Sequence, residues 1–183
     1  SGVVHLVRAW HQIGHPDEAP TVSKDYIWTC GQAEIVGRLI RDLGFISKCM
    51  NALTEAIDAD FAKKLKILRE KVIAASGFAD ALSSIDPLLM EGRCLIFNRR
   101  TTIHRDESDP PEAWALLFVV GSFKGGSMHF PELGLRVRFL PGDVIAMRGQ
   151  VLEHEVEVWG GHIRISVVHF THASLSDYFD MEL

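Results

Sequence analysis

At 183 residues, with a net charge of −5, the chain has the length of one domain able to bury a core of its own. Hydrophobic residues at 47% and charged residues at 23% are ordinary for a globular fold, and no apolar run approaches the roughly 18 residues of a membrane span. The acidic balance does not advertise the basic surface of most nucleic-acid-binding domains, so any such partner would have to be met by local charge. Three widely spaced cysteines, Cys30, Cys49 and Cys94, argue against a disulfide framework or a cysteine zinc site. They read as reduced, mostly buried thiols.

The opening Ser1-Gly2-Val3-Val4-His5 lacks the basic start and cleavage pattern of a signal peptide. Ser1-Gly2 reads as the remnant of a removed tag and no element is assigned to it; the expectation is an intracellular monomer with no membrane partner. From about Gln32 the apolar residues Ile35, Leu39, Leu43 and Ile46 recur at helical steps. A second helix is predicted over Asp60–Ile73, with Phe61, Leu65, Leu68 and Val72 on one face and Ala75-Ser76-Gly77 as a glycine stop. Lys63, Lys64, Lys66, Arg69 and Lys71 give this helix a basic cluster.

From Arg93 the pattern changes to short strands, predicted at Cys94–Asn98, Trp114–Val120, Leu135–Leu140, Asp143–Met147, His154–Val158 and Ile163–Phe170. Gly125-Gly126, Pro141-Gly142 and Gly160-Gly161 are expected to turn the chain between them. Many short strands after a helical half imply an α+β domain with a sandwich or barrel core, and the absent G-x-G-x-x-G disfavours a dinucleotide fold.

His104-Arg105-Asp106, followed far downstream by His154, has the composition of a 2-His-1-carboxylate site, which holds Fe(II) on one face and leaves three positions open. Residues two apart on an extended segment project to one side, so His104 and Asp106 can share a metal while Arg105 points away. The combination with Arg164-x-Ser166 on an alternating strand strengthens the reading. A planar guanidinium can grip a carboxylate of 2-oxoglutarate through two parallel bonds, and Ser166 on the same face can donate a third. A zinc hydrolase would need a carboxylate base beside the metal, but Glu153 and Glu155 fall on the strand face opposite His154.

The series Asn98-x(5)-His104-x-Asp106, Gly125-Gly126, Pro141-Gly142-Asp143, His154 and Arg164-x-Ser166 resembles the 2-oxoglutarate dioxygenase superfamily, and within it the TET/JBP family in its compact fungal and protist form. The resemblance covers about Arg93 to His172. It implies a double-stranded β-helix (jelly-roll) over 91–173, supported by mainly helical residues 3–90, in one domain of 3–183. It also implies Fe(II) and 2-oxoglutarate as cofactors and O2 as cosubstrate, with His104, Asp106 and His154 as metal ligands and catalytic residues. Asn98 and Arg99 are implied to lie near the cosubstrate beside Arg164 and Ser166. The substrate implied is a methylated base in DNA, 5-methylcytosine or N6-methyladenine, with Asp109 and His172 contacting the flipped base and a nuclear location. The cysteine-rich region of larger relatives is absent. The same iron chemistry on a small molecule or protein side chain, or a binding domain without turnover, are the other readings.

Overall fold

A computed structural model describes residues 1–11, 15, 17–27 and 30–183, the side chain of Cys30 excepted, so the expectation for that thiol lies outside the described residues. The elements run β1 (Gly2–Val7), α1 (Lys24–Ile27), α2 (Cys30–Asp42), α3 (Gly44–Ile57), α4 (Ala59–Ala75), α5 (Gly77–Ser83), β2 (Gly92–Phe97), β3 (Ala115–Gly125) and β4 (Met128–Phe130). A 3-10 turn (Pro131–Leu133) leads to β5 (Leu135–Val137), β6 (Val144–Met147), β7 (Glu155–Val156), β8 (Trp159–Phe170) and α6 (Ala173–Tyr178). They form two compact units, Ser1–Val4 with Arg93–Phe170, and His5–Gly92 with Thr171–Leu183.

In the second unit, α4 forms as its periodicity requires. Phe61, Leu65, Leu68 and Val72 are buried, and Asp58 caps the helix by accepting a 2.9 Å bond from the Phe61 amide. Its end differs from the expectation. Gly77 is no stop; Ser76 breaks the helix in an extended conformation and then caps α5 by accepting from the Ala79 amide at 3.3 Å. Arg69 leaves the basic cluster, because its guanidinium donates to the carbonyls of Leu88 and Asp86, both at 2.7 Å.

The earlier helical pattern is offset by one column. Val36, Ile40, Ser47 and Met50 are buried while Ile35 is exposed. Bonds from Leu43 N to Leu39 O and from Ser47 N to Leu43 O carry the helix across the α2–α3 junction. Of the thiols, Cys94 is buried and Cys49 half-buried. No helix among the described residues is long and apolar enough to cross a membrane.

The first unit contains a five-stranded sheet, order β1-β2-β8-β3-β6, and a three-stranded one, β5-β4-β7. Between them lies the core: Ala115, Leu117 and Val119 of β3, Met128 and Phe130 of β4, Ile145 and Met147 of β6, with Phe123, Phe139 and Val156. The alternating residues of β3 explain this, since every second side chain points inward. Strands β1 and β4 were not expected: β1 starts at Gly2, inside the expected tag remnant, and β4 is three residues long.

Gly160-Gly161 does not turn. It lies inside β8, paired with Lys124 and Phe123 of β3 at a register shift between Ser122 and Phe123. Gly161 has φ +138, and a Cβ there would come within 2.6 Å of Phe123 Cα, so a side chain is excluded by both conformation and space. The pair therefore serves a bulge in one long antiparallel ribbon.

Because the Asp58 cap satisfies an otherwise orphaned amide of α4, Asp58→Ala should cost about 1 kcal/mol of stability. Chemical denaturation of the two proteins checks this.

Candidate metal centre

His104 and His154 are brought together by backbone bonding. Each amide donates to the other's carbonyl, at 3.1 Å and 3.0 Å, an antiparallel bridge just ahead of β7. The imidazoles follow, with ring centroids 4.3 Å apart. Asp106 is placed by a 3.0 Å bond from its amide to the Gly149 carbonyl. Its carboxylate oxygens lie 3.6 Å from His104 Nε2 and 3.9 Å from His154 Nε2. One donor atom from each residue falls within 4.8 Å of the others, the arrangement that one divalent ion requires.

The second shell fixes which nitrogen faces inward. His104 Nδ1 bonds the Thr102 carbonyl at 2.7 Å, and His154 Nδ1 bonds that of Leu152 at 2.9 Å. With Nδ1 committed to a carbonyl, it carries the proton and Nε2 keeps its lone pair for a metal. Burial pushes the His154 pKa below its usual range, which favours the neutral imidazole that coordinates metals. The donor set fits Fe(II): two neutral imidazoles and one carboxylate on a single face. The carbonyls of Thr102 and Leu152, each two residues before its histidine, carry no sequence signal because every residue has one.

Neither Glu153 nor Glu155 is placed as the base of a zinc hydrolase. Glu153 is turned to Arg105 at 3.9 Å, and Glu155 pairs with His129 at 3.0 Å. Arg105 also bonds Glu132, so it points away from the metal as its position between the ligands requires.

Arg164 and Ser166 lie opposite Gly121 and Val119 of β3, on the face that lines the core. The Arg164 guanidinium is 2% exposed and sits 5.2 Å and 5.4 Å from the ring centroids of Phe123 and Phe139. Its Nη1 donates to Ser166 Oγ at 2.6 Å, whereas Nε and Nη2 find no acceptor among the described residues. Burial lowers its pKa to about 10, still well above neutrality, so the group remains a cation. A buried cation with unmet donors is costly unless an anion arrives, and a carboxylate fits the two free donors. Those donors could receive a carboxylate ligand. The aromatic walls from Phe123 and Phe139 were not foreseen.

Asn98 is placed differently from a cosubstrate contact. It adopts φ +48 and braces β8, its Oδ1 accepting from the Arg164 amide at 2.7 Å while its own amide donates to the Arg164 carbonyl at 2.9 Å. Arg99 is exposed and makes no hydrogen bond or ion pair among the described residues. Asp109 is 7% exposed, and its carboxyl likewise has no partner among them. Its amide bonds the Asp106 carbonyl at 3.0 Å. Burial first, and then the charge of Asp106, raises its pKa to about 8. His172 belongs to the other unit, where its ring meets Trp10 edge-on with centroids 6.1 Å apart.

Residues 90–173 match the family model Tet_JBP, described as the oxygenase domain of the 2OGFeDO superfamily. Among solved structures, NgTET1 in complex with 5mC DNA is similar over 94% of this chain and 61% of that one, with a TM-score of 0.70 and 16% identity. The shared fold is the double-stranded β-helix, and the chain thus spans under two thirds of that protein's length. A viral collagen prolyl hydroxylase from Paramecium Bursaria Chlorella virus-1 aligns over 54% of the chain at 15% identity, with a TM-score of 0.37. No curated protein matches the chain by sequence.

Two outcomes follow from this geometry. Arg164→Lys, which keeps the charge but loses the fork, should weaken 2-oxoglutarate binding about tenfold or more, since a charge-assisted hydrogen bond contributes roughly 1.5–3 kcal/mol. Calorimetric titration of the cosubstrate reads this directly. For the metal-free protein, a carboxyl raised to about 8 on folding binds more protons folded than unfolded, so stability falls as pH climbs from the ordinary carboxylate range toward 8. Asp109→Asn should flatten that fall, as measured by denaturation midpoints across the same pH range.

Proposed function

Because residues 90–173 belong to the TET/JBP family of oxygenase domains, with Fe(II) and 2-oxoglutarate as cofactors, we propose that this chain oxidises the methyl group of a methylated DNA base. His104, Asp106 and His154 hold the iron, and Arg164 with Ser166 holds the far carboxylate of 2-oxoglutarate. Bound together, iron and cosubstrate supply the activation of O2 for insertion into a substrate C–H bond. The apolar walls of Phe123 and Phe139 keep water from competing for the guanidinium, so the cosubstrate docks in one orientation.

The observation that carries the DNA reading is Asp109. A buried carboxyl three residues from a proposed iron ligand leaves a polar demand that no described residue meets. The exocyclic amino group of a flipped cytosine or adenine can meet it. A carboxyl accepts from that amino group in either protonation state, and when protonated it also donates to the adjacent ring nitrogen. Both 5-methylcytosine and N6-methyladenine present this edge. The similar solved TET protein was captured with 5mC DNA, which supports a substrate of this class. A DNA substrate carries with it the nuclear location.

The test is single-turnover oxidation of methylated duplexes, read by mass spectrometry of the nucleosides, with cosubstrate affinity measured on the same proteins. Wild type should oxidise the base and His154→Ala should not. Asp109→Ala should slow base oxidation by about five- to a hundredfold, the cost of roughly 1–3 kcal/mol for an unmet partner, while leaving 2-oxoglutarate affinity unchanged. Succinate formation with no oxidised base on any methylated duplex would sink the DNA reading and move the substrate to a small molecule or a protein side chain.

A further inference from the structure

Gly149 follows β6 and has the backbone of an ordinary residue, with no positive φ to call for glycine. What singles it out is space. A Cβ built on it would lie 2.9 Å from Asp106 Cγ and 3.2 Å from Asp106 Cβ, and nearer still to Oδ2. The carboxylate therefore rests on the Gly149 backbone, in the volume that any side chain would occupy. The same two residues are joined by the bond from the Asp106 amide to the Gly149 carbonyl, so Asp106 cannot back away without breaking it. The glycine is buried.

We propose that Gly149 is a positioning residue for the metal: by lacking a side chain it lets Asp106 project its carboxylate between His104 Nε2 and His154 Nε2. The inference rests on the metal reading of the three ligands and is independent of the DNA substrate. A methyl group at 149 pushes the carboxylate by a rotation about its own side-chain bonds, which is easy, and the rotated carboxylate leaves the face shared with the two imidazoles. The fold can absorb that movement; the metal cannot, because the facial set then has two ligands in place of three. The glycine at 149 thus serves metal geometry, in contrast to Gly161, where the chain itself needs the glycine.

The experiment is Gly149→Ala, compared with wild type and with Asp106→Ala by calorimetric titration of Co(II) into metal-free protein and by the Co(II) absorption spectrum. Expected is a loss of metal affinity of about tenfold to a hundredfold, as for disturbed outer-shell partners. The spectrum should shift toward that of Asp106→Ala. Wild-type affinity and spectrum in Gly149→Ala would overturn the proposal. A thermal cycle covers the case in which the variant folds poorly. Removing the carboxylate removes the clash, so Asp106→Ala and Asp106→Ala/Gly149→Ala should melt together. If the double variant melts lower than Asp106→Ala by as much as Gly149→Ala melts below wild type, the glycine serves the fold and the proposal fails. Because no arm uses DNA or turnover, failure here leaves the substrate question untouched, and failure on methylated DNA leaves Gly149 in place.

Discussion

The reciprocal backbone pair between His104 and His154 is the contact on which the candidate site depends. Two amides and two carbonyls join segments far apart in the chain, and the imidazoles come into range as a consequence. Backbone bonds tolerate almost any sequence, so the pairing leaves the side chains free for chemistry. Each histidine then uses a carbonyl two residues behind it to settle its own tautomer. One short stretch of extended chain thus provides the ligand, its partner strand and its orienting group.

The interior of the jelly-roll shows a different economy. Its core is aromatic and aliphatic except where Arg164 enters from β8 with two donors unmet. An apolar residue there would pack more favourably, and burying a lone cation works against folding. Asp109 is a second buried polar group without a partner among the described residues, and burial favours its neutral form. Both groups are costs to the free protein that a bound carboxylate or base can offset, which is how a site becomes selective for ligands that complete its hydrogen bonding.

The two proline- and glycine-marked features of the barrel also divide by role. Gly142, with φ +94 after Pro141, makes a turn that Asp143 closes by accepting from the Leu140 amide at 2.9 Å. Gly161 instead opens a bulge that lets β3 and β8 continue as one long ribbon. Through that ribbon Arg164 stays in register with Gly121, and Asn98 clamps the backbone beside it. The proposed carboxylate site is therefore built on the long β3–β8 pairing, where small shifts are least tolerated.

The sequence by itself determined much of what depends on local period. Alternation placed His104 and Asp106 on one side and Arg164 and Ser166 on another, and the helical step in α4 named its buried face, because the backbone repeats of 2 and 3.6 residues are set by the chain alone. Residue chemistry in that order was enough to indicate iron and a carboxylate cosubstrate. What it left open came from contacts between distant segments. Whether Gly160-Gly161 turns or bulges depends on β3 lying alongside; whether Ile35 or Val36 faces inward depends on the packing of neighbouring helices. That Asn98 braces β8 and that Gly149 makes room for Asp106 are facts about two chain segments meeting. Only the tertiary structure decides these, since the pairing that brings such segments together is stabilised by the sum of many contacts and written in no single stretch of residues.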